Sequence, residues 1–169
     1  VEKYPALMDK IRVVYNSFGG SFGHFNSDKA QLILDKYNLP DKFIFCLGNQ
    51  SPKKNLANIL KAYYIYLDRN EEKIPLVIAD HSPGDLFLFF NSNNSKYKDY
   101  LKFVGYISNS EIPAVYKKSE LFLYPSIRES FGIPILEAMK MGTPVITSNI
   151  SCMPEIAGEA ALFVDPLNP

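Results

Sequence analysis

The sequence has no excess of either charge and no long apolar run. Lysine and arginine together number 18, as do aspartate and glutamate, so the formal net charge is zero. A chain without a basic excess is not typical of a nucleic-acid-binding protein or of a polybasic membrane-surface module. Apolar runs such as residues 86–90 are far shorter than the roughly 18 residues that indicate a membrane-spanning helix.

Potential metal ligands and paired cysteines are also scarce. Cys46 and Cys152 are too few for a disulfide framework, and His24 and His81 stand alone. Neither Cys-x-x-Cys nor Asp-x-Asp occurs, so the sequence lacks a common metal motif and the acidic motif that often carries a divalent cation to a diphosphate. It also lacks the Gly-x-Gly-x-x-Gly of a simple NAD domain. We therefore expect a domain that holds no metal and works in the cytoplasm.

The residues that are present indicate one folded domain. The chain has 169 residues, of which 47% are hydrophobic and 21% charged, which excludes disorder as its main state. Short apolar runs that end in turns alternate with segments of helical period, and this alternation predicts an α/β, Rossmann-like, three-layer domain with a parallel sheet. The predicted strands are residues 11–15, 43–47, 76–79, 103–105, 121–124, 143–147 and 161–164.

Two carboxylates follow the predicted strand 121–124, where ligands of such folds bind. Glu129 and Glu137 are separated by seven residues. Pro134 is typical of the first turn of a helix and Gly142 of its end, so Glu129 would lie on a loop and Glu137 in the first helical turn. Backbone amides of residues 130–133 would then form an anion site at the helix N-terminus. A nucleotide sugar suits this arrangement, although each glutamate alone is also typical of a solvated surface.

Two further loops after strands are candidates. Lys53 and Lys54 lie at the start of a predicted helix, although the helix dipole favours cations at the other end. One interpretation is that an anion binds nearby, and the other is that both lysines are simply solvated on a loop. The turn that begins at Gly105 has exposed backbone groups that suit a nucleobase. An ordinary turn with a capping box, made by Ser108 and Glu111, is the interpretation that this third loop favours.

These segments together resemble the C-terminal domain of the large retaining glycosyltransferase family that is built on the two-domain GT-B fold. The family's signature, Glu-x7-Glu in a Pro-Ser…Gly-Phe-Gly context, is matched by PSIRESFGIPILEAM at 125–139 and GTPV at 142–145. Further matches in order are VYN at 14–16, PKKNL at 52–56, FVGY at 103–106, PEIAG at 154–158 and VDP at 164–166. The resemblance covers nearly the whole chain.

The resemblance implies a role for each matching residue. Glu129 would face the reacting region of the donor sugar, Lys54 would neutralise the leaving diphosphate, and Glu137 would accept hydrogen bonds from the ribose diol. The family often has arginine at the position of Asn49 and glycine at that of Ser130; Lys53 or Arg128 would have to supply the missing charge. The remaining donor-binding positions implied are Asn49 and Lys53 at the diphosphate, Ser130, Phe131, Gly132 and Ile133 at the diphosphate and sugar, and Tyr106, Ile107 and Asn109 at the base.

The resemblance also implies a function and partners. Residues 1–169 would be the nucleotide-sugar-binding half of a retaining hexosyltransferase, with its N-terminal acceptor domain absent, so we expect the chain alone to bind donor without transferring sugar. The donor would be a nucleoside-diphosphate sugar, GDP-mannose being favoured, and the acceptor a glycan or lipid-linked glycan in polysaccharide biosynthesis. No cofactor, metal or nucleic acid is expected. A cytoplasmic location is expected, with peripheral association at the inner face of the membrane as one possibility. The alternatives are a GT-B-like nucleotide-sugar epimerase and a non-catalytic nucleotide-binding module.

Overall fold

A computed structural model describes residues 10–23, 25–48, 51–80 and 95–169 of the chain. Three positions singled out in the sequence, His24, Asn49 and His81, lie outside the described residues. The role at the diphosphate that the resemblance implies for Asn49 stays a prediction.

Six strands in the described ranges form one parallel sheet in the order β3-β2-β1-β4-β5-β6. This order confirms the predicted α/β, Rossmann-like class. The chain leaves β1 toward one edge of the sheet and returns to β4 on the other side of β1, so the carboxyl ends of β1 and β4 flank the switch point at which doubly wound folds bind ligands. The strands are β1 Ile44–Leu47, β2 Leu76–Ala79, β3 Leu101–Gly105, β4 Leu121–Tyr124, β5 Val145–Ser148 and β6 Leu162–Val164.

Helices cover both faces of this sheet. The α-helices in the described ranges are α1 Ala30–Lys36, α2 Leu56–Arg69, α3 Ile112–Lys118, α4 Ile133–Met141 and α5 Met153–Ala157. Short 3-10 turns span Gly20–Phe22, Ser27–Lys29, Pro52–Lys54 and Ser95–Tyr100. Among the described residues, no helix combines the length and the apolar character needed to cross a membrane.

The core has two parts because successive strand residues point to opposite faces of the sheet. In β1, Phe45 packs with the cluster that contains residues of α1, α3, α4 and α5, whereas Ile44 and Cys46 pack with the cluster that contains residues of α2. Cys46 is fully buried in the core, and burial raises the pKa of its thiol to about 12. With both faces covered, the central strands β1, β2 and β4 are apolar runs without polar alternation.

The predicted strand at 11–15 is wrong. The segment has no regular secondary structure, and Val13 and Val14 are 78% and 87% exposed. β-Branched residues favour a strand only where a neighbouring strand completes the hydrogen bonding, and within the described ranges this segment joins no sheet. Instead the ring of Tyr15 packs on Phe131 with centroids 6.0 Å apart, and its hydroxyl donates to Glu155 Oε1 at 2.6 Å.

Candidate functional site

The site is built on the two loops that leave the switch point. The loop after β1 carries Lys54 and the loop after β4 carries Glu129. A backbone hydrogen bond from the amide of Ile127 to the carbonyl of Lys53, 2.8 Å long, joins the two loops directly. Strand order therefore brings together two residues that are 75 positions apart in the sequence.

Asn55 fixes the loop that carries Lys54. Its backbone is left-handed, with φ at 63°, a conformation that asparagine tolerates better than most residues. The buried side-chain amide donates to the carbonyl of Pro125 at 3.0 Å and to that of Pro166 at 2.7 Å. One side chain thus ties the loop after β1 to the loops after β4 and β6.

Lys54 and Glu129 face each other at the switch point. Nζ of Lys54 lies 2.9 Å from Oε1 of Glu129, and the two side chains are only 15% and 9% exposed. The same ammonium donates to the hydroxyl of Tyr124 at 2.7 Å and lies 4.8 Å from the centroid of its ring. Burial favours a higher pKa for Glu129, but contact with Lys54 and hydrogen bonds from Ser126 and Tyr124 outweigh it and lower the pKa.

The backbone of Glu129 is held from the loop after β5. Its amide donates to Ser151 Oγ at 3.3 Å, the Ser151 hydroxyl donates to its carbonyl at 3.2 Å, and the Cys152 thiol lies 3.5 Å from that carbonyl. Below it, the hydroxyl of Ser148 donates to the carbonyl of Ser126. Sequence reasoning missed these supports, because no local pattern links the loops after β4 and β5.

Helix α4 begins beside Glu129. Gly132 precedes it with φ at 91°, so the chain turns into the helix at a position where a side chain would be strained. The first turn consists of the uncharged residues 133–136, so its amide groups keep the partial positive charge of a helix N-terminus. The prediction that Glu137 lies in the first turn is wrong: the turn at Gly132 starts the helix one residue before Pro134, and Glu137 lies in the second turn.

Glu137 is partly buried against α3. Its Oε2 accepts a hydrogen bond of 3.1 Å from the hydroxyl of Tyr116, a residue with no exposed surface. Burial raises the pKa of Glu137, and the Tyr116 hydrogen bond opposes that rise. Tyr116 was missed as a site residue because a tyrosine on an apolar helix face first indicates core. A buried tyrosine hydroxyl needs a hydrogen-bond partner, however, and this requirement could have indicated that Tyr116 contacts a polar group.

The residues expected to frame a base lie on the loop after β3. Tyr106 is 70% exposed, Asn109 is exposed and the side chain of Ile107 is buried in the core. Because β2 separates β3 from β1, this loop begins about 10 Å from the carboxyl end of β1. The site is therefore elongated along the carboxyl edge of the sheet. The loop starts at Gly105, whose φ is 62° and whose carbonyl accepts a 2.7 Å hydrogen bond from the amide of Asp80.

The capping box predicted on this loop is wrong. Helix α3 begins at Ile112, and the hydroxyl of Ser108 donates to Glu111 Oε2 at 2.8 Å instead of capping the helix. The carboxylate of Glu111 is drawn away from the cap because it also binds Lys36 at 2.6 Å and Tyr37 at 2.7 Å, both at the end of α1. Ser108 and Glu111 therefore connect the loop after β3 to the end of α1.

The structure thus assembles some of the predicted residues more closely than others. Lys54 and Glu129 are in contact, and Gly132 and Ile133 form the start of α4 beside Glu129. Lys53 and Ser130 are exposed on the same loops, and Phe131 packs on Tyr15. In the described ranges, no group of three or more histidine, cysteine, aspartate or glutamate side chains is arranged to hold a metal ion.

The fold and this site define the chain as a doubly wound α/β domain with a largely buried lysine–glutamate ion pair at its switch point. The chain belongs to the glycosyl transferases group 1 family, whose model matches residues 31–169. It is 32% identical to O-antigen chain mannosyltransferase B of Escherichia coli over 167 residues, which cover 96% of this chain and 43% of that protein. It is equally identical to the serotype-specific mannosyltransferase WbdA of the same organism, covering 96% of this chain and 21% of that one.

Solved structures share the fold. Sucrose-phosphate synthase from Thermosynechococcus elongatus superimposes with a TM-score of 0.71 at 22% identity, covering 99% of this chain and 43% of that one. HepE from Anabaena, solved in complex with UDP-glucose, gives a TM-score of 0.73 at 18% identity, covering 93% of this chain and 44% of that one. Structural neighbours of this kind are GT-B glycosyltransferases, so the domain has the fold of one GT-B half. The chain spans less than half the length of these proteins.

Proposed function

We propose that this chain binds a nucleoside-diphosphate sugar at the carboxyl edge of its sheet and is the donor half, over residues 1–169, of a retaining glycosyltransferase. The observation that carries the proposal is the meeting of Lys54 and Glu129 at the switch point, beside the N-terminus of α4. A cation and helix amides suit a diphosphate, while carboxylates suit the hydroxyl groups of a sugar. Both kinds of partner occur together in a nucleotide sugar.

Each group has a defined part in the proposed reaction. As the bond between the anomeric carbon and the diphosphate breaks, negative charge builds on the diphosphate, and Lys54 with the amides of residues 130–133 stabilises it. Glu129 accepts hydrogen bonds from the sugar, and Glu137 accepts them from the ribose. In this proposal fixed positive groups of the protein stabilise the leaving group, so the reaction needs no divalent metal.

The base would lie over the loop after β3. Its distance of two strands from the switch point leaves room for the ribose between the base and the diphosphate. The backbone of Ile107 and the exposed side chains of Tyr106 and Asn109 would frame the base, and Lys53 and Asn49 would add polar groups at the diphosphate. Ser130 and Phe131 would border the sugar.

The identity of the donor is proposed from the relatives. The Escherichia coli proteins at 32% identity are named mannosyltransferases, and one is named for the O-antigen chain. GDP-mannose is therefore the favoured donor, and a glycan or lipid-linked glycan the favoured acceptor. The acceptor would be held by a second domain at the cytoplasmic face of the membrane, and this chain alone would not transfer sugar.

Thermal unfolding in the presence of nucleotide sugars tests the proposal. GDP-mannose, UDP-glucose, GDP and UDP are added separately, and a ligand that binds the folded chain raises the melting temperature by mass action. We expect at least one of these nucleotides to raise it, and Lys54→Met to remove most of the rise because the cation at the diphosphate is lost.

Lys118→Met is the matched control. Lys118 is exposed at the end of α3, just before β4 begins, and so lies at the opposite edge of the sheet from the site. This variant should respond to nucleotides as the parent does. The proposal is contradicted if no nucleotide stabilises the parent, or if Lys54→Met and Lys118→Met respond equally.

A further inference from the structure

The two groups proposed to bind opposite parts of the donor neutralise each other in this structure. Lys54 Nζ, which would bind the diphosphate, is 2.9 Å from Glu129 Oε1, which would bind the sugar. That carboxylate oxygen is buried. A ligand that engages Lys54 must therefore compete with Glu129 for the same ammonium.

The consequence differs between ligands. A free nucleoside diphosphate takes Lys54 and supplies nothing to Glu129, which leaves a buried carboxylate without its counter-charge, an unfavourable state. An intact nucleotide sugar takes Lys54 with its phosphates and also offers sugar hydroxyls that donate to Glu129. The ion pair therefore opposes binding of the diphosphate alone more than binding of the complete donor.

The surrounding structure keeps Lys54 and Glu129 close enough for their ion pair to form again after the donor has reacted. The hydrogen bond between Ile127 and the carbonyl of Lys53 holds the two loop backbones together, so neither side chain can withdraw far from the other. The hydroxyl of Tyr124 accepts from the ammonium at 2.7 Å and keeps it aimed at the switch point. Once the sugar has left, the carboxylate is free to recover its lysine.

We propose that the Lys54–Glu129 ion pair is a specificity device that selects the intact nucleotide sugar over the free nucleoside diphosphate and so promotes release of the spent diphosphate. This inference rests on the proposed function. Glu129 is then more than a binding group for the sugar, because its charge determines how strongly the diphosphate is held once the sugar is gone.

Calorimetric titration of four proteins tests the inference: the parent, Glu129→Gln, Lys54→Met and the double variant. GDP and UDP are the probes, with GDP-mannose and UDP-glucose in parallel. Glu129→Gln frees the ammonium, so we expect it to bind the nucleoside diphosphate about tenfold more tightly than the parent does, at the lower end of the coupling measured for close charge pairs. Affinity for the nucleotide sugar should rise less or fall, because glutamine replaces one acceptor oxygen.

The Lys54→Met background separates release of the lysine from simple removal of a negative charge. In that background Glu129→Gln should bring no gain, because there is no ammonium left to free. An equal gain in both backgrounds, or no gain in the single Glu129→Gln variant, would overturn the inference while leaving the proposed function intact. A variant that failed to fold could not bind more tightly, so a gain cannot arise from damage. If the parent binds neither the diphosphates nor the nucleotide sugars, the proposed function fails and takes the inference with it.

Discussion

Single residues determine what the candidate site can bind. Lys54, Tyr124 and Glu129 form a compact, largely buried charged group, and Asn55 fixes the loop that carries the lysine. The resemblance to known sequences indicated Lys54 and Glu129. The resemblance did not indicate that Lys54 and Glu129 are in contact. Their contact depends on the order of the strands in the sheet, which a local sequence motif does not determine.

Glu137 is the residue with the most specific ligand assignment. Its carboxylate is partly buried, and its Oε2 accepts a hydrogen bond from the Tyr116 hydroxyl; the proposed function assigns the other oxygen to the ribose. We expect Glu137→Gln to weaken binding of GDP or UDP about tenfold, the order of magnitude for hydrogen bonds to a charged group. Calorimetric titration measures this change.

The matched probes for this prediction are the 2′,3′-dideoxy nucleotides. They lack the hydroxyls that Glu137 would bind, so the parent and Glu137→Gln should bind them with the same affinity. A similar loss for ribose and dideoxyribose nucleotides would show that the substitution acts on the fold of α4 and not on a ribose contact.

At the scale of elements, helices and strands of the described ranges were largely predictable. The strands 76–79 and 121–124 have the predicted bounds, and α4 ends at Met141 with Gly142 as its C-cap, as that glycine indicates. The local sequence pattern gave wrong predictions where contacts with residues distant in the sequence determine the structure. The segment 11–15 has strand-forming residues, but no strand of the described ranges pairs with it. The predicted capping box of Ser108 and Glu111 does not form, because the Glu111 carboxylate binds Lys36 at the end of α1.

The contact between α1 and the start of α3 makes stability depend on pH. Hydrogen bonds from Lys36, Tyr37 and Ser108 hold the pKa of Glu111 at about 2, below its ordinary value of 4.5. A carboxylate whose pKa is lower in the folded state contributes stability above its unfolded pKa and loses it as the pH falls toward the folded value. The contribution of Glu111 should therefore be complete above about pH 4.5 and decline below it.

Urea unfolding of the parent and Glu111→Gln across this range checks the prediction. The free energy of unfolding should favour the parent at neutral pH, and the difference should shrink as the pH falls below 4.5. Glu159→Gln, at an exposed carboxylate after α5, is the control and should differ little from the parent throughout. A difference for Glu111→Gln that stays constant with pH would contradict the assignment.

At the scale of the whole molecule, parallel topology explains why the site lies where it does. The strand order places the loops after β1 and β4 side by side and the loop after β3 two strands from β1, so the charged residues and the residues proposed to frame a base lie along one edge. Alternation of strands and helices in the sequence was enough to predict the fold class. It was not enough to predict the supports around Glu129, because Ser148, Ser151 and Cys152 reach the site only through the pairing of β4 with β5.

The neutral net charge of the chain agrees with a locally built site. In the proposed function, the positive charge for a diphosphate comes from the largely buried Lys54 and from helix amides, and the carboxylates of Glu129 and Glu137 lie at the same edge. Under the proposed function, such a site would bind an elongated ligand with both acidic and hydroxyl groups.

A crystal structure of the chain with GDP-mannose or UDP-glucose bound would test the central claim most directly. We predict a nucleotide sugar along the carboxyl edge of the sheet, with its diphosphate between Lys54 and the N-terminus of α4, its ribose hydroxyls on Glu137 and the Lys54–Glu129 pair opened. A nucleotide bound elsewhere, or a diphosphate at the edge with the ion pair still closed, would contradict it.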